Sequence, residues 1–151
     1  MNPDFCDMLS AFNAAHVEYL VVGAYAMATH GLVRATGDID LWIHATPDNA
    51  ERVMEALRAF RAPLFGLTVA DLCQPDVVFQ IGLPPRRINI LTSIAGITFD
   101  EGWNDRRPKV VAQITFSVLS PEMLIKNKQA TGRPKDAADV AWLKESLESL
   151  K

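Results

Sequence analysis

The sequence has little cysteine, no surplus of positive charge and no long apolar run, and each shortage excludes something. Its 151 residues include two cysteines, Cys6 and Cys73. Two thiols so far apart make neither a disulfide scaffold nor a zinc site; apolar neighbours mark both as buried or half-buried thiols in a reducing compartment. A net charge of −3 argues against a surface coated in basic charge for duplex nucleic acid. Positive residues do cluster locally, at Arg86-Arg87, at Arg106-Arg107-Pro108-Lys109 and over 126–135. No stretch approaches the roughly 20 apolar residues of a membrane span. The histidines, His16, His30 and His44, have neither metal-ligand spacing nor a nearby nucleophile. Residues 1–7 are acidic and lack the basic-then-apolar order of a signal peptide, so a cytoplasmic protein without a membrane role is expected.

What is present is an ordinary globular balance, 49% hydrophobic and 22% charged, without repeats or low-complexity tracts. One domain over 1–151 is expected. Helical spacing of Phe5, Met8, Leu9 and Phe12 predicts a helix over 4–15. The β-branched and aromatic run 17–22 predicts a strand, ended by Gly23, with a short helix of small residues over 24–30. A second strand is expected over 39–44, and a capped helix follows Thr46-Pro47-Asp48 to Arg61. Further on, 68–72 reads as a short helix, 77–81 and 87–91 as strands, and 99–105 as a short helix. Residues 109–118 alternate as a late strand or as a hairpin bent near Gln113, and helices over 121–130 and 135–150 close the chain. The sum is an α/β (α+β) domain with a single mixed sheet, flanking helices and C-terminal helices.

One segment carries chemistry. A strand delivers the backbone to Gly23, and a helix begins at once, leaving N–H groups available to a phosphate. Fifteen residues later stand Asp38 and Asp40. Alternation in a strand projects both to one face, roughly 7 Å apart at their α-carbons, while Ile39 and Leu41 face the other way. Two such carboxylates can converge on one divalent ion, and magnesium suits oxygen ligands shared with nucleotide phosphates. Asp-x-Asp alone is a common solvated pattern; the ordered series strand, glycine, helix, glycine, Arg-x-Thr-x-Asp-x-Asp, strand is much less so. Arg34 can contact phosphate or pair with an aspartate, and Thr36 can satisfy its loop or touch ligand. Trp42 either walls the pocket or packs in the core, Trp103 and Trp142 read as core, and His30 as a helix-end cap.

These residues resemble the DNA polymerase β-type nucleotidyltransferase superfamily, in particular its small bacterial branch related to minimal nucleotidyltransferases and AbiE-type toxins. The resemblance rests on the glycine turn followed by Gly31, Arg34, Thr36, Asp38 and Asp40. It extends to the C-terminal run Lys128-Gln129-Ala130-Thr131-Gly132-Arg133-Pro134-Lys135-Asp136-Ala137-Ala138-Asp139. It implies the nucleotidyltransferase fold, with Asp38 and Asp40 holding Mg²⁺ (or Mn²⁺) that binds an NTP. It further implies that Gly23 and Ala24 cradle phosphates through their amides, and that Lys128, with Arg34, Arg133 or Lys135, supplies positive charge. An NMP would pass to the hydroxyl of an unidentified acceptor, a small molecule, protein or RNA, with release of pyrophosphate.

The chain departs from that pattern in three places. Asn89 stands where the resemblance implies a third carboxylate, and asparagine can offer a carbonyl oxygen but cannot act as a base. Asp76, Asp100 and Glu101 are the nearby acids that could compensate. Ala24 replaces a serine, and no separate acceptor-binding domain is evident. The leading expectation is therefore an Mg²⁺-dependent nucleotidyltransferase. The competing one is a catalytically degenerate relative that binds nucleotide or serves as partner in a toxin–antitoxin or phage-defence pair, with a cognate protein or a homodimer supplying the rest. A nuclease or glycosyltransferase built on the aspartate pair is the third. Asp136 and Asp139, one turn apart, read as helix-start charge and ion-pair partners.

Overall fold

The computed structural model describes residues 1–32, 37–83 and 85–150; the expected contacts of Arg34 and Thr36 lie outside them. Helix α1 (Pro3–Ala14) starts where the Asn2 side-chain carbonyl accepts the Asp4 N–H at 2.7 Å, and it buries Phe5, Met8, Leu9 and Phe12 on one face. Strand β1 (Tyr19–Val22) is buried throughout and runs directly into α2 (Gly23–Thr29). Strand β2 (Asp38–Ile43) follows, then α3 (Pro47–Phe60), capped by the Thr46 hydroxyl and closed by left-handed Arg61. Strands β3 (Val78–Ile81) and β4 (Arg87–Leu91), helix α4 (Phe99–Asn104) and strands β5 (Arg107–Val111) and β6 (Ile114–Val118) lead to helices α5 (Pro121–Thr131) and α6 (Pro134–Ser149).

The strands form one mixed sheet in the order β3-β4-β2-β1-β6-β5. β1 pairs antiparallel with β2, β3 with β4 and β5 with β6, whereas β2–β4 and β1–β6 are parallel. One face of β2 and β4 presents Ile39, Leu41, Ile43, Ile88 and Ile90, all buried in the same apolar cluster as the inner faces of α1 and α3. The opposite face of β2 carries Asp38, Asp40 and Trp42. It is closed at the Trp42 end, where Gly102 of α4 lies so near that an added Cβ would stand 3.0 Å from the Trp42 ring. At the other end Asp38 keeps a third of its side chain exposed. A closed end and an open end on one strand face leave a shallow site around Asp38.

Most expected elements are present within a residue or two. The helix expected over 68–72 is instead a 3₁₀ turn, Asp71–Cys73. Thr68 and Asp71 cap each other there, the Thr68 N–H donating to Asp71 at 2.9 Å and the Asp71 N–H to Thr68 at 3.2 Å, which satisfies the backbone without a longer helix. The 109–118 segment is a hairpin with Ala112 and Gln113 both at positive φ, 52° and 65°, as a two-residue turn between twisted strands requires. Trp42 is core, in edge contact with Phe99. Trp103 and Trp142 are only half-buried, and Trp103 carries the Arg106 guanidinium 3.9 Å above its ring. Both cysteines are half-buried free thiols. His30 does end α2, and its ring Nε2–H donates to the Leu119 carbonyl at 2.8 Å, tying that helix to the end of β6. Among the described residues no helix is long and apolar enough to cross a membrane.

Candidate active site

The parallel pairing of β2 with β4 sets Asp38 beside Arg87 and Asp40 beside Asn89. Neighbours in register project to the same side of a sheet, so all four polar groups share the open face. The Arg87 guanidinium approaches Asp38 at 3.3 Å and 3.5 Å through two nitrogens. With about a third of each side chain exposed, such a pair is worth at most about 1 kcal/mol; its effect is to orient the carboxylate rather than to hold the fold.

Asp40 is placed differently. Asn89, itself 8% exposed, donates from Nδ2 to Asp40 Oδ1 at 2.9 Å. Burial raises the Asp40 carboxyl above the usual aspartate range; the Asn89 hydrogen bond pulls it back in part, and the charge of Asp38 pushes it up again. The other Asp40 oxygen faces Gly23. An added Cβ at Gly23 would run into Asp40 Oδ2, and Gly23 itself sits at φ 69°. Glycine is required there on both counts: the backbone turn is left-handed, and the carboxylate occupies the space of a side chain. Gly23 and Ala24 thus begin α2, with Gly23 set against Asp40.

Two further features position the site. Gly37, just before Asp38, accepts the Arg87 N–H through its carbonyl at 3.1 Å, and an added Cβ there would run into the Pro85 carbonyl oxygen. The 85–87 turn can therefore close on the start of β2 only over glycine. The Asn89 carbonyl oxygen is buried and has no hydrogen-bond partner among the described residues, and an orphaned buried acceptor calls for a ligand, water or ion.

Asp38, Asp40 and that Asn89 oxygen are hard donors on one face. They fit one magnesium ion, which commonly takes one or two carboxylates and fills its remaining positions with phosphate oxygens and water. They do not fit two. Among the described residues no group of three or more His, Cys, Asp or Glu side chains is placed to hold a metal. Asp76 is bound to Ser93 beyond the far end of β4. Glu101 caps α4 and pairs with Lys126, contacts that pull its carboxyl down to about 2. Asp100 is an exposed residue of α4. None of the three supplies the third carboxylate.

The C-terminal residues form a separate cluster at the α5–α6 joint. Lys128 Nζ lies 3.0 Å from Asp139 and 3.5 Å from Asp136. Arg133 reaches Asp136 at 2.8 Å, and the Thr131 hydroxyl donates to the same carboxylate at 2.7 Å. Burial works against the Asp136 charge, yet the Thr131 and Arg133 hydrogen bonds with the Lys128 charge hold its carboxyl below the ordinary range. A phosphate contact by Lys128 would have to share an ammonium already held by two carboxylates. Lys135 stands exposed at the start of α6. The role sequence reasoning did not assign is that of Arg87, whose signal was its place two residues before Asn89 on an alternating strand.

A glycine turn seated on one member of a carboxylate pair, within a mixed sheet flanked by helices, is the arrangement that the resemblance to nucleotidyltransferases implies. The chain belongs to the family described as nucleotidyltransferases of unknown function (DUF6036), which it matches over residues 7–147. Its fold is similar to that of a Thermotoga maritima protein provisionally described as a nucleotidyltransferase. The TM-score is 0.59 at 17% identity, over 93% of this chain and 91% of that one. No curated protein matches the sequence.

Proposed function

We propose that the protein transfers an NMP from an NTP to an acceptor hydroxyl, using a single magnesium ion held by Asp38 and Asp40 with the Asn89 carbonyl as a further oxygen. The observation that carries the proposal is the row formed by Gly23, Asp40 and Asn89: a backbone turn, a buried carboxylate and an unpartnered buried oxygen on one open sheet face. When bound, the ion would neutralise phosphate charge and orient the α-phosphorus for in-line attack. The chain's own groups do the rest. Arg87 holds Asp38 in position, and Asn89 fixes one oxygen of Asp40. The amides of Gly23 and Ala24, at the start of α2, receive the distal phosphates. Since Asn89 cannot take a proton and Asp40 is engaged as a metal ligand, this scheme has no side-chain base, and the proton of the attacking hydroxyl passes to solvent water. The new bond forms between that oxygen and the α-phosphorus as the bond to pyrophosphate breaks. Lys128, Arg133 and Lys135 are given no phosphate contact in this scheme, because the first two are engaged by Asp136 and Asp139 and the third sits beside them.

A second reading has its own observation: Asn89 in place of a carboxylate, spending its amide on Asp40, suits a protein that binds nucleotide without turning it over, as a partner in a toxin–antitoxin or defence pair would. Calorimetry with each NTP, with and without Mg²⁺, beside an Asp38→Asn/Asp40→Asn variant decides the site. Metal-dependent binding lost in the variant is expected, and binding that survives it would refute the site. Pyrophosphate release with candidate acceptors then separates the readings, since a silent binder releases none.

A further inference from the structure

At the start of α1 lies a cleft of about 470 Å³, lined by Met1, Asn2, Pro3, Phe5, Tyr25 and Arg86, within the roughly 300–1,000 Å³ of small-molecule sites. We infer that this cleft is a second binding site, for a planar ring carrying an anionic group, of the size and chemistry of a nucleoside monophosphate. Its walls divide cleanly by chemistry. Phe5 is buried in the core and meets Tyr25 edge to face, at 6.2 Å between ring centres and 88° between planes, so the aromatic floor is fixed while Tyr25 stays half-exposed for a ring to lie against. The phenol O–H of Tyr25 has no hydrogen-bond partner among the described residues.

Arg86 supplies the charge. Its neighbour Arg87 is engaged by Asp38, but the Arg86 guanidinium is exposed and forms no ion pair among the described residues. Its backbone is nonetheless set, the N–H donating to the Leu83 carbonyl at 3.1 Å. A smaller cavity of about 80 Å³ shares Asn2, Phe5 and Arg86 with the cleft and is lined further by Asp4, Gly82 and Ile88. A guanidinium offers planar, paired donors to a phosphate, so ring and anion have separate seats in one cleft. A bare inorganic ion would leave the aromatic wall unused, and an uncharged ring would leave Arg86 without a partner.

The cleft is linked to the candidate active site through the chain. Tyr25 follows Gly23 by two residues, and Arg86 precedes Arg87. Its role as the seat of the acceptor rests on the nucleotidyl-transfer reading above; its binding does not. The test is calorimetric titration of AMP, GMP, CMP and UMP into the full chain in EDTA, with inorganic phosphate as competitor. Metal-free binding of at least one NMP is expected, weakened about tenfold or more in Arg86→Gln and about threefold or more in Tyr25→Leu. The Asp38→Asn/Asp40→Asn variant should bind it unchanged. Arg86 is exposed, so its variant folds, and Arg86→Lys should recover part of the loss. Absence of binding, binding untouched by Arg86→Gln, or displacement by phosphate at the concentration of the NMP itself would each overturn the inference. Binding that needs Mg²⁺ and disappears in the aspartate variant would overturn it too, moving the ligand to the carboxylate pair. Failure of the transfer reading would look different, as lost Mg²⁺–NTP binding with the metal-free NMP site intact.

Discussion

Replacing Lys128 with methionine tests whether the C-terminal basic motif holds two helices together. Lys128 is 11% exposed at its side chain, and its carboxylate partners Asp136 and Asp139 are 6% and 10% exposed. Removing one member of a buried pair costs about 3–5 kcal/mol, because the remaining charge stays buried. Asp136 keeps Thr131 and Arg133 at 2.7 Å and 2.8 Å, so the low end, about 3 kcal/mol, applies. For a chain of this length that is a fall in Tm of about 6–12 °C, measured by circular dichroism at neutral pH. Adding Asp136→Asn and Asp139→Asn to Lys128→Met should restore part of the loss by lowering the negative charge left at the α5–α6 joint. The wild type carries a matching pH signature. The Asp136 carboxyl is depressed in the folded state, so its stabilisation is fully present above the ordinary aspartate pKa near ~4 and is lost as pH falls through the lower folded value. Lys128→Met, which removes one of the depressing charges, should lose less stability over that acid range than the wild type. A fall in Tm below about 2 °C, with an unchanged acid limb, would refute the structural role and return Lys128 to the phosphates.

Other changes probe the site and the packing beside it. Asn89→Asp would place a second buried carboxylate against Asp40, destabilising the metal-free protein at neutral pH by about 1–3 kcal/mol; thermal shift should show that Mg²⁺ reverses this, and no metal-dependent recovery would argue that the pair holds no cation. Gly23→Ala meets both a left-handed backbone and the Asp40 carboxylate, and should cost about 1–3 kcal/mol in urea unfolding and abolish metal-dependent NTP binding together. Gly102→Ala would press a methyl within 3.0 Å of Leu119 and Trp42. An overpacking loss of about 1–3 kcal/mol is expected there, with Mg²⁺–NTP affinity unchanged in the folded protein.

Much of this architecture is legible in the sequence because local signals and tertiary needs agree. Phe5, Met8, Leu9 and Phe12 repeat at helical spacing and are all buried, and Asp38 and Asp40 share a face because strands alternate. The register between β2 and β4 is not legible: Asn89 lies 49 residues beyond Asp40, and nothing local says that the two face each other. The resemblance pointed to Asn89, but Arg87, engaged with Asp38, needed the pairing itself. The closeness of Gly37 to Pro85 is equally a long-range fact. Lys128 shows the converse difficulty. A basic residue in a motif reads as ligand-facing, and only the arrival of α6 reveals the carboxylates that claim it.

The place of β2 within the sheet has one more consequence. It is flanked on one side by β1, antiparallel, and on the other by β4, parallel, so its amides are among those that exchange with solvent only when the whole domain opens. The spacing of the two aspartates is therefore inherited from the global fold and cannot drift with a loop. Adjustment of the site falls to the side chains across the row, Arg87 and Asn89. One substitution at either position changes the charge of the carboxylate row without moving its backbone.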